Sequence, residues 1–234
     1  MMFLDKIKKK NLYILKTFFR KNFKKFNGLK NLDKKMIKYL NYNDGYFIEI
    51  GAHDGIYNSN TFYFEKYKNW KGVLIEPSFN YKLLVKNRSK KNKFFYYGCS
   101  EFNSKKETTL LNSDDYSICK DLVDRNFLIW HSKKQIQAQK KMIETKIKLR
   151  TLNSILIEAK SPKLIDFFSL DVEGMEINVL KGINFNYFNF KHLLVECSNK
   201  KKYEEISKFL IKKKYIYEDN LTEWDYLFQY KPNS

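Results

Sequence analysis

The sequence predicts an α/β fold, with a doubly wound, mostly parallel seven-stranded sheet closed by a C-terminal antiparallel hairpin. Three observations predict it. Residues 46–77 read as strand, glycine turn, helix and strand. Residues 165–177 read as a strand that ends in carboxylates and turns at Gly174 into a helix. Along the chain, five parallel-type strands precede a hairpin, and the right-handed crossover rule supplies the chirality.

The first 42 residues form a basic helical extension before a domain spanning 43–234. Leu12, Leu15, Phe18, Phe19, Phe23 and Phe26 recur at steps of three and four among Lys16, Arg20, Lys21, Lys24 and Lys25, so an amphipathic helix is expected. No apolar run there reaches the length of a signal-peptide core or a membrane span. Two uses fit such a helix: it caps the sheet or pairs with a second copy, or residues 1–26 attach peripherally to an anionic leaflet. A second helix, about Asp33 to Asn41, leads into the first strand.

Tyr46–Ile50 is a short apolar run suited to a buried parallel strand, and Gly51-Ala52-His53-Asp54-Gly55 breaks it. Asn58 to Tyr67 reads as helix with Asn58 or Ser59 as its cap, and Val73-Leu74-Ile75 is a strand stopped by Glu76-Pro77. An acidic residue about twenty-five positions after a glycine turn is the usual holder of ribose hydroxyls, which places Glu76 on a ribose. The turn is not the dinucleotide fingerprint, because it carries Asp54 with Glu49 just before it. Two carboxylates repel a pyrophosphate and welcome an ammonium or sulfonium, so S-adenosylmethionine fits the charge pattern better than NAD. The same residues also suit a βαβ unit without a ligand, with Glu49 and Asp54 as solvated loop charges.

After Pro77 a helix runs to about Lys86, and a third strand covers Lys93 to Gly98. Thr108 to Leu111 reads as a further short strand. Residues 112–148 fit a variable lid, since a segment after the third strand stands above the strand carboxyl ends. Tyr116 and Ser117 would then reach an adenine and Trp130 and His131 an acceptor, or Trp130 packs in a core and His131 is an ordinary surface histidine. Thr151 to Leu156 reads as a capped helix, Lys191 to Glu196 as the fifth strand, Lys200 to Lys213 as an amphipathic helix, and Tyr215–Tyr217 with Trp224–Tyr230 as the final pair.

Three blocks carry a family resemblance. They are Phe47–Gly55 with Ser59-Asn60-Thr61, Gly72–Pro77, and Ser169–Glu176 with Val179–Gly182. In order and spacing the chain from about 45 to 198 resembles the FkbM-type methyltransferases. The resemblance implies a class I, Rossmann-like methyltransferase domain that uses S-adenosylmethionine. Carried onto this chain, the cofactor residues would be Glu49, Gly51, Ala52, Asp54, Ser59, Asn60, Glu76, Pro77, Ser100 and Ser117. It also implies hydroxyl acceptors on glycans and secondary metabolites, hence O-methylation of a sugar in surface polysaccharide biosynthesis.

Methyl transfer to a hydroxyl needs positioning and a base or a metal. Asp171 is the expected acceptor-side base, Glu173 supports the loop or the acceptor, and His53 is a second candidate base. Capping of the helix at Gly174 is the plainer role for both carboxylates. With water they also suit Mg²⁺.

The 234 residues suit one α/β domain, and the formal charge of +19 raises the alternative of a nucleic-acid methyltransferase acting on RNA ribose. That alternative needs the lysines gathered on the crevice face, whereas they are scattered through every segment, among Asn, Ile, Phe and Tyr that are over-used with them. A scaffold that kept the fold without catalysis would not need Glu49, Gly51, Glu76, Asp171 and Glu173 together. Cys99, Cys119 and Cys197 form no CxxC pair, which points to a reducing, cytoplasmic setting, peripheral at the membrane if the first helix attaches there. A homo-oligomer is open.

Overall fold

The computed structural model describes residues 2–104, 107–113, 116–137 and 142–232, with the backbone alone at 2–11, 14, 131, 134 and 135. Helix α1 (Met2–Phe23) leads through a short turn to α2 (Leu32–Leu40). In α2, Leu32, Met36 and Leu40 fall at steps of four and are buried together with Phe47, Phe64, Trp70 and Leu74. Strand β1 (Tyr46–Ile50) alternates: Phe47 joins this group, whereas Ile48 and Ile50 face the opposite side of the sheet.

The chain continues through α3 (Phe62–Lys68), β2 (Lys71–Ile75), α4 (Tyr81–Asn87), β3 (Lys93–Phe95) and β4 (Gly98–Cys99). Helix α3 starts later than Asn58, because the Ser59 hydroxyl accepts the N–H groups of Thr61 and Phe62 and holds a turn before the helix. The expected third strand divides: β3 ends at Phe95, and Gly98–Cys99 pairs instead with β8 (Leu149–Arg150). Between β4 and β8 lie β5 (Thr108–Asn112), β6 (Ser117–Cys119), α5 (Arg125–Gln137) and β7 (Ile143–Ile147), and the three strands make a separate antiparallel sheet in the order β6-β5-β7.

The remaining elements are α6 (Leu152–Glu158), β9 (Leu164–Leu170), α7 (Glu176–Lys181), β10 (Asn189–Glu196), α8 (Lys200–Ile211), β11 (Tyr215–Asn220) and β12 (Asp225–Tyr230). Thr151 caps α6 as expected, its hydroxyl accepting the Ser154 N–H at 3.1 Å. The main sheet has seven strands in the order β11-β12-β10-β9-β1-β2-β3. Only β12 runs against its neighbours. This is the class I methyltransferase architecture, with the hairpin folded back so that its second strand pairs with β10. On one face α2, α3 and α4 cover the sheet; on the other, Leu152, Ile155 and Leu156 of α6, Val179 and Leu180 of α7, and Ile206 and Leu210 of α8 are buried against Ile48, Ile50, Val73 and Ile75. The strand order reverses between β1 and β9, where a doubly wound sheet opens a crevice at its carboxyl end.

Candidate active site

The crevice begins at Gly51. Its φ is +82°, and a Cβ there would lie 2.0 Å from the Asp171 carbonyl oxygen, so glycine lets the ends of β1 and β9 come together. The turn behind it is held by Asp54, fully buried, whose carboxylate accepts the N–H groups of Ile56 (2.9 Å) and Tyr57 (2.7 Å) and the hydroxyls of Tyr13 (2.5 Å) and Thr17 (3.3 Å). Burial alone would raise this carboxyl; interaction with His53, Tyr13 and the Tyr57 N–H reverses that and holds it well below the usual range. Asp54 thus serves the loop and α1 and does not line the crevice.

Glu49 is likewise turned inward. Its carboxylate accepts from the Ser59 hydroxyl (2.9 Å), the Asn60 N–H (2.7 Å), the Thr61 hydroxyl (2.6 Å) and Arg88 Nη1 (3.2 Å). Arg88, itself buried, bridges to Glu65 at 2.7 Å. Asn60 also donates to the Ser169 hydroxyl, tying the loop to β9. The expectation that Glu49 and Asp54 face a cationic ligand is therefore corrected: both negative charges are engaged within the protein, and Ser59 and Asn60 belong to the same buried network. Arg88 was hidden in a lysine-rich loop, where nothing marks one basic residue as a core counter-ion.

The crevice is open to solvent on one side, and Gly51, His53, Glu76, Pro77, Ser117, Asp171 and Glu173 line it. Ala52 and Ser100 do not: Ala52 is buried, its N–H donating to the Ile75 carbonyl, and Ser100 is buried beside Gly182 with its hydroxyl unpaired. Glu76 has one carboxylate oxygen on the His53 N–H (2.7 Å) and the other on the Ser78 N–H (2.8 Å), which fixes the group at the wall. Tyr97, Cys99, Leu110 and Cys119 supply an apolar side. Both cysteines are free, and burial pushes both thiols up, Cys119 to about 12, so they act as small hydrophobes.

Strand β9 ends at Leu170, so Asp171 and Glu173 sit in the following turn and both reach the crevice, not opposite faces of a strand. Glu173 has φ +53° and Gly174 φ +95°. Neither carboxylate caps the next helix: α7 starts at Glu176, whose own carboxylate accepts the Gly174 N–H at 2.9 Å. Buried there, the Glu176 carboxyl is pushed up to about 7.

Glu196 was not among the expected site residues. The parallel register pairs Val195 with Leu170, so the next residues, Glu196 and Asp171, stand side by side. Carboxylate oxygens of Asp171, Glu173 and Glu196 lie within 4.8 Å of one another. The usable signal was an acid ending the neighbouring strand. Asp171 and Glu196 titrate together. Desolvation raises Asp171, aided by the charges of Asp225, Glu49 and Glu76; the Asp171 charge raises Glu196 further, aided by burial and Glu173.

The methyltransferase FkbM domain matches this chain over residues 49–226, from Glu49 near the end of β1 into β12. The chain belongs to the FkbM methyltransferase family. It is accordingly a methyltransferase, and the family implies S-adenosylmethionine as donor. Among solved structures it is similar to methyltransferase FkbM from Methylobacillus flagellatus KT, at 14% identity and a TM-score of 0.49, over 80% of this chain and 44% of that one, so it spans less than half of that protein's length. A candidate RNA methyltransferase from Pyrococcus horikoshii matches at 12% identity and a TM-score of 0.46, over 87% and 81% of the two chains. The precorrin-6y C5,15-methyltransferase from Geobacter metallireducens GS-15 matches at 10% and 0.43, over 86% and 89%. No curated protein matches by sequence. The family assignment rests on the domain match, and such distant likenesses bear on no substrate.

In this FkbM domain the donor set of the crevice fits S-adenosylmethionine. Glu76, fixed by two backbone N–H groups, presents a carboxylate to vicinal hydroxyls, the apolar side suits an adenine, and the lining holds Glu76, Asp171 and Glu173 but no lysine or arginine among the described residues, which suits a cationic donor. Above it, the β5–β7 sheet supplies Leu110, Ser117 and Cys119, and Phe127 of α5 lies over Gly174, where a Cβ would meet its ring at 3.1 Å. The segment expected as a lid thus stands at the carboxyl ends of the strands. Trp130 is 48% exposed beside Phe127, and Tyr116 is half-exposed and off the lining. Asp114, Asp115 and the His131 side chain lie outside the described residues.

Proposed function

We propose that this FkbM methyltransferase transfers the methyl group of S-adenosylmethionine to a hydroxyl of a sugar or glycan, in surface polysaccharide biosynthesis. The observation that carries the reading is the convergence of Asp171, Glu173 and Glu196 beside a crevice lined by acids and by no described basic residue. Carboxylates hydrogen-bond neutral polyols well and repel phosphate-bearing acceptors, so the same observation weighs against RNA despite the +19 charge.

When bound, S-adenosylmethionine supplies a sulfonium methyl open to in-line displacement. Glu76 would hold ribose hydroxyls and the apolar wall the base, so that donor and acceptor would be oriented toward each other; orientation of this kind contributes roughly 7–11 kcal/mol. Asp171 takes the proton of the attacking hydroxyl. Glu196, keeping its own proton, donates to Asp171 and fixes it, and Glu173 orients the acceptor. His53 lines the crevice with Nδ1 3.7 Å from Asp54 Oδ1 and stands as the second candidate base. Three carboxylate oxygens at this spacing also form a set that a hard cation takes.

The test is transfer of labelled methyl from S-adenosylmethionine into polysaccharide and total-RNA fractions, with and without Mg²⁺ and chelator. Label in polysaccharide is expected; label in RNA alone would overturn the acceptor class.

A further inference from the structure

Helix α1 is amphipathic in the reverse of the usual sense. The side that meets the domain is polar. Tyr13 and Thr17 donate to Asp54, the Arg20 guanidinium lies 4.3 Å over the Tyr57 ring, and Lys66 donates to the Lys21 carbonyl. These residues fall at steps of three and four, so they share one face. Leu12, Leu15, Phe19 and Phe23 recur at the same steps on another, with Phe18 beside them, and these five are 52–68% exposed. A helix covering the sheet would bury that stripe, as α2 buries Leu32, Met36 and Leu40. Here the domain holds the helix by its polar side and presents five large apolar groups outward, which is uncommon on a surface without a partner.

The surroundings select the partner. Lys16 is exposed on the same helix, and Lys24 and Lys25 are exposed just past its end at Phe23. Exposed aromatics framed by lysines fit the headgroup boundary of an anionic bilayer, where rings bury and ammonium groups meet lipid phosphates. A second copy fits poorly, because pairing through this face would bring the two lysine frames together in a chain of net charge +19. No helix among the described residues is long and apolar enough to cross a membrane, so contact would be from the surface.

We propose that α1 lies with Leu12, Leu15, Phe18, Phe19 and Phe23 in the interface of an anionic lipid leaflet, docking the protein peripherally while Tyr13 and Thr17 keep it fastened to the loop that carries His53.

The experiment is co-sedimentation of the full chain with vesicles of phosphatidylglycerol and phosphatidylcholine, and of phosphatidylcholine alone, alongside light scattering of the free protein. The protein should pellet with the anionic vesicles, remain in the supernatant with the neutral ones, and release in high salt. Phe19→Glu with Phe23→Glu should abolish pelleting at least ten-fold while S-adenosylmethionine affinity stays at the wild-type value, which shows that the domain is folded. Lys24→Glu with Lys25→Glu should weaken it without touching the apolar stripe. Failure of the intact chain to pellet, equal pelleting of the phenylalanine variant, or a dimer that this variant converts to monomer without lipid binding would each overturn the proposal; the last would assign the face to a second copy.

Discussion

Arg88 neutralises Glu49 inside the protein while also donating to the Gly55 carbonyl and the hydroxyls of Ser59 and Thr61. Arg88→Met would leave Glu49 buried without its counter-charge, so a loss of about 3–5 kcal/mol is expected from urea unfolding. Glu49→Gln should lower stability as well, with little change in cofactor affinity, as its side chain is away from the crevice. Glu76 is the opposite case. Glu76→Ala removes the carboxylate from the wall, and calorimetry should report S-adenosylmethionine binding weaker by roughly 2–4 kcal/mol; unchanged affinity would remove Glu76 from the site. The Asp171–Glu196 pair makes a prediction in pH. The raised pKa of Asp171 places the acidic limb of kcat above the ordinary carboxylate range, with activity rising as pH rises through it. Glu196→Gln keeps a donor where the protonated carboxyl stood and should retain that limb. Glu196→Ala removes the hydrogen bond that lowers Asp171, so the limb should move to higher pH.

Among the elements, α1 and the 53–57 loop depend on each other through Asp54. Tyr13 is a donor at any working pH, since burial and the nearby Asp54 charge push its phenol further up. Tyr13→Phe should loosen the helix by about 1.5–3 kcal/mol, the range for hydrogen bonds to charged groups, read as faster amide exchange along α1 with the strands unchanged. Unaltered exchange would mean that packing alone holds the helix. The folded pKa of Asp54 is depressed, so its contribution is full above the ordinary carboxylate pKa and is lost only as pH falls through the depressed value; docking of α1 should therefore outlast mild acidification. The β5–β7 sheet is separate from the main one, and Phe127 of α5 lies over Gly174 in the turn that carries Asp171.

At the scale of the molecule, charge is divided. The chain carries 45 basic and 26 acidic residues, yet Glu76, Asp171 and Glu173 line the crevice with no described basic residue among them. Lys16, Lys24 and Lys25, by contrast, are exposed on and just past α1, near its apolar stripe.

The main sheet, the glycine turn, the acid that ends the second strand unit at Glu76 and the carboxylates after the fourth parallel strand were legible along the chain. These follow from local rules: alternation, chain reversal that requires glycine, and acids placed at strand ends. The tertiary structure alone decided which acids face the crevice. Glu49 and Asp54 look like Glu76 along the chain, and only the approach of Arg88 from a later loop, and of Tyr13 from a preceding helix, turned them into internal partners. The same holds for Glu196, made a neighbour of Asp171 by strand register across 25 residues. It also holds for α1, whose periodicity shows an apolar stripe but cannot tell which way the stripe points. Hydrophobic burial would have turned it inward; hydrogen bonds to one buried carboxylate hold it outward.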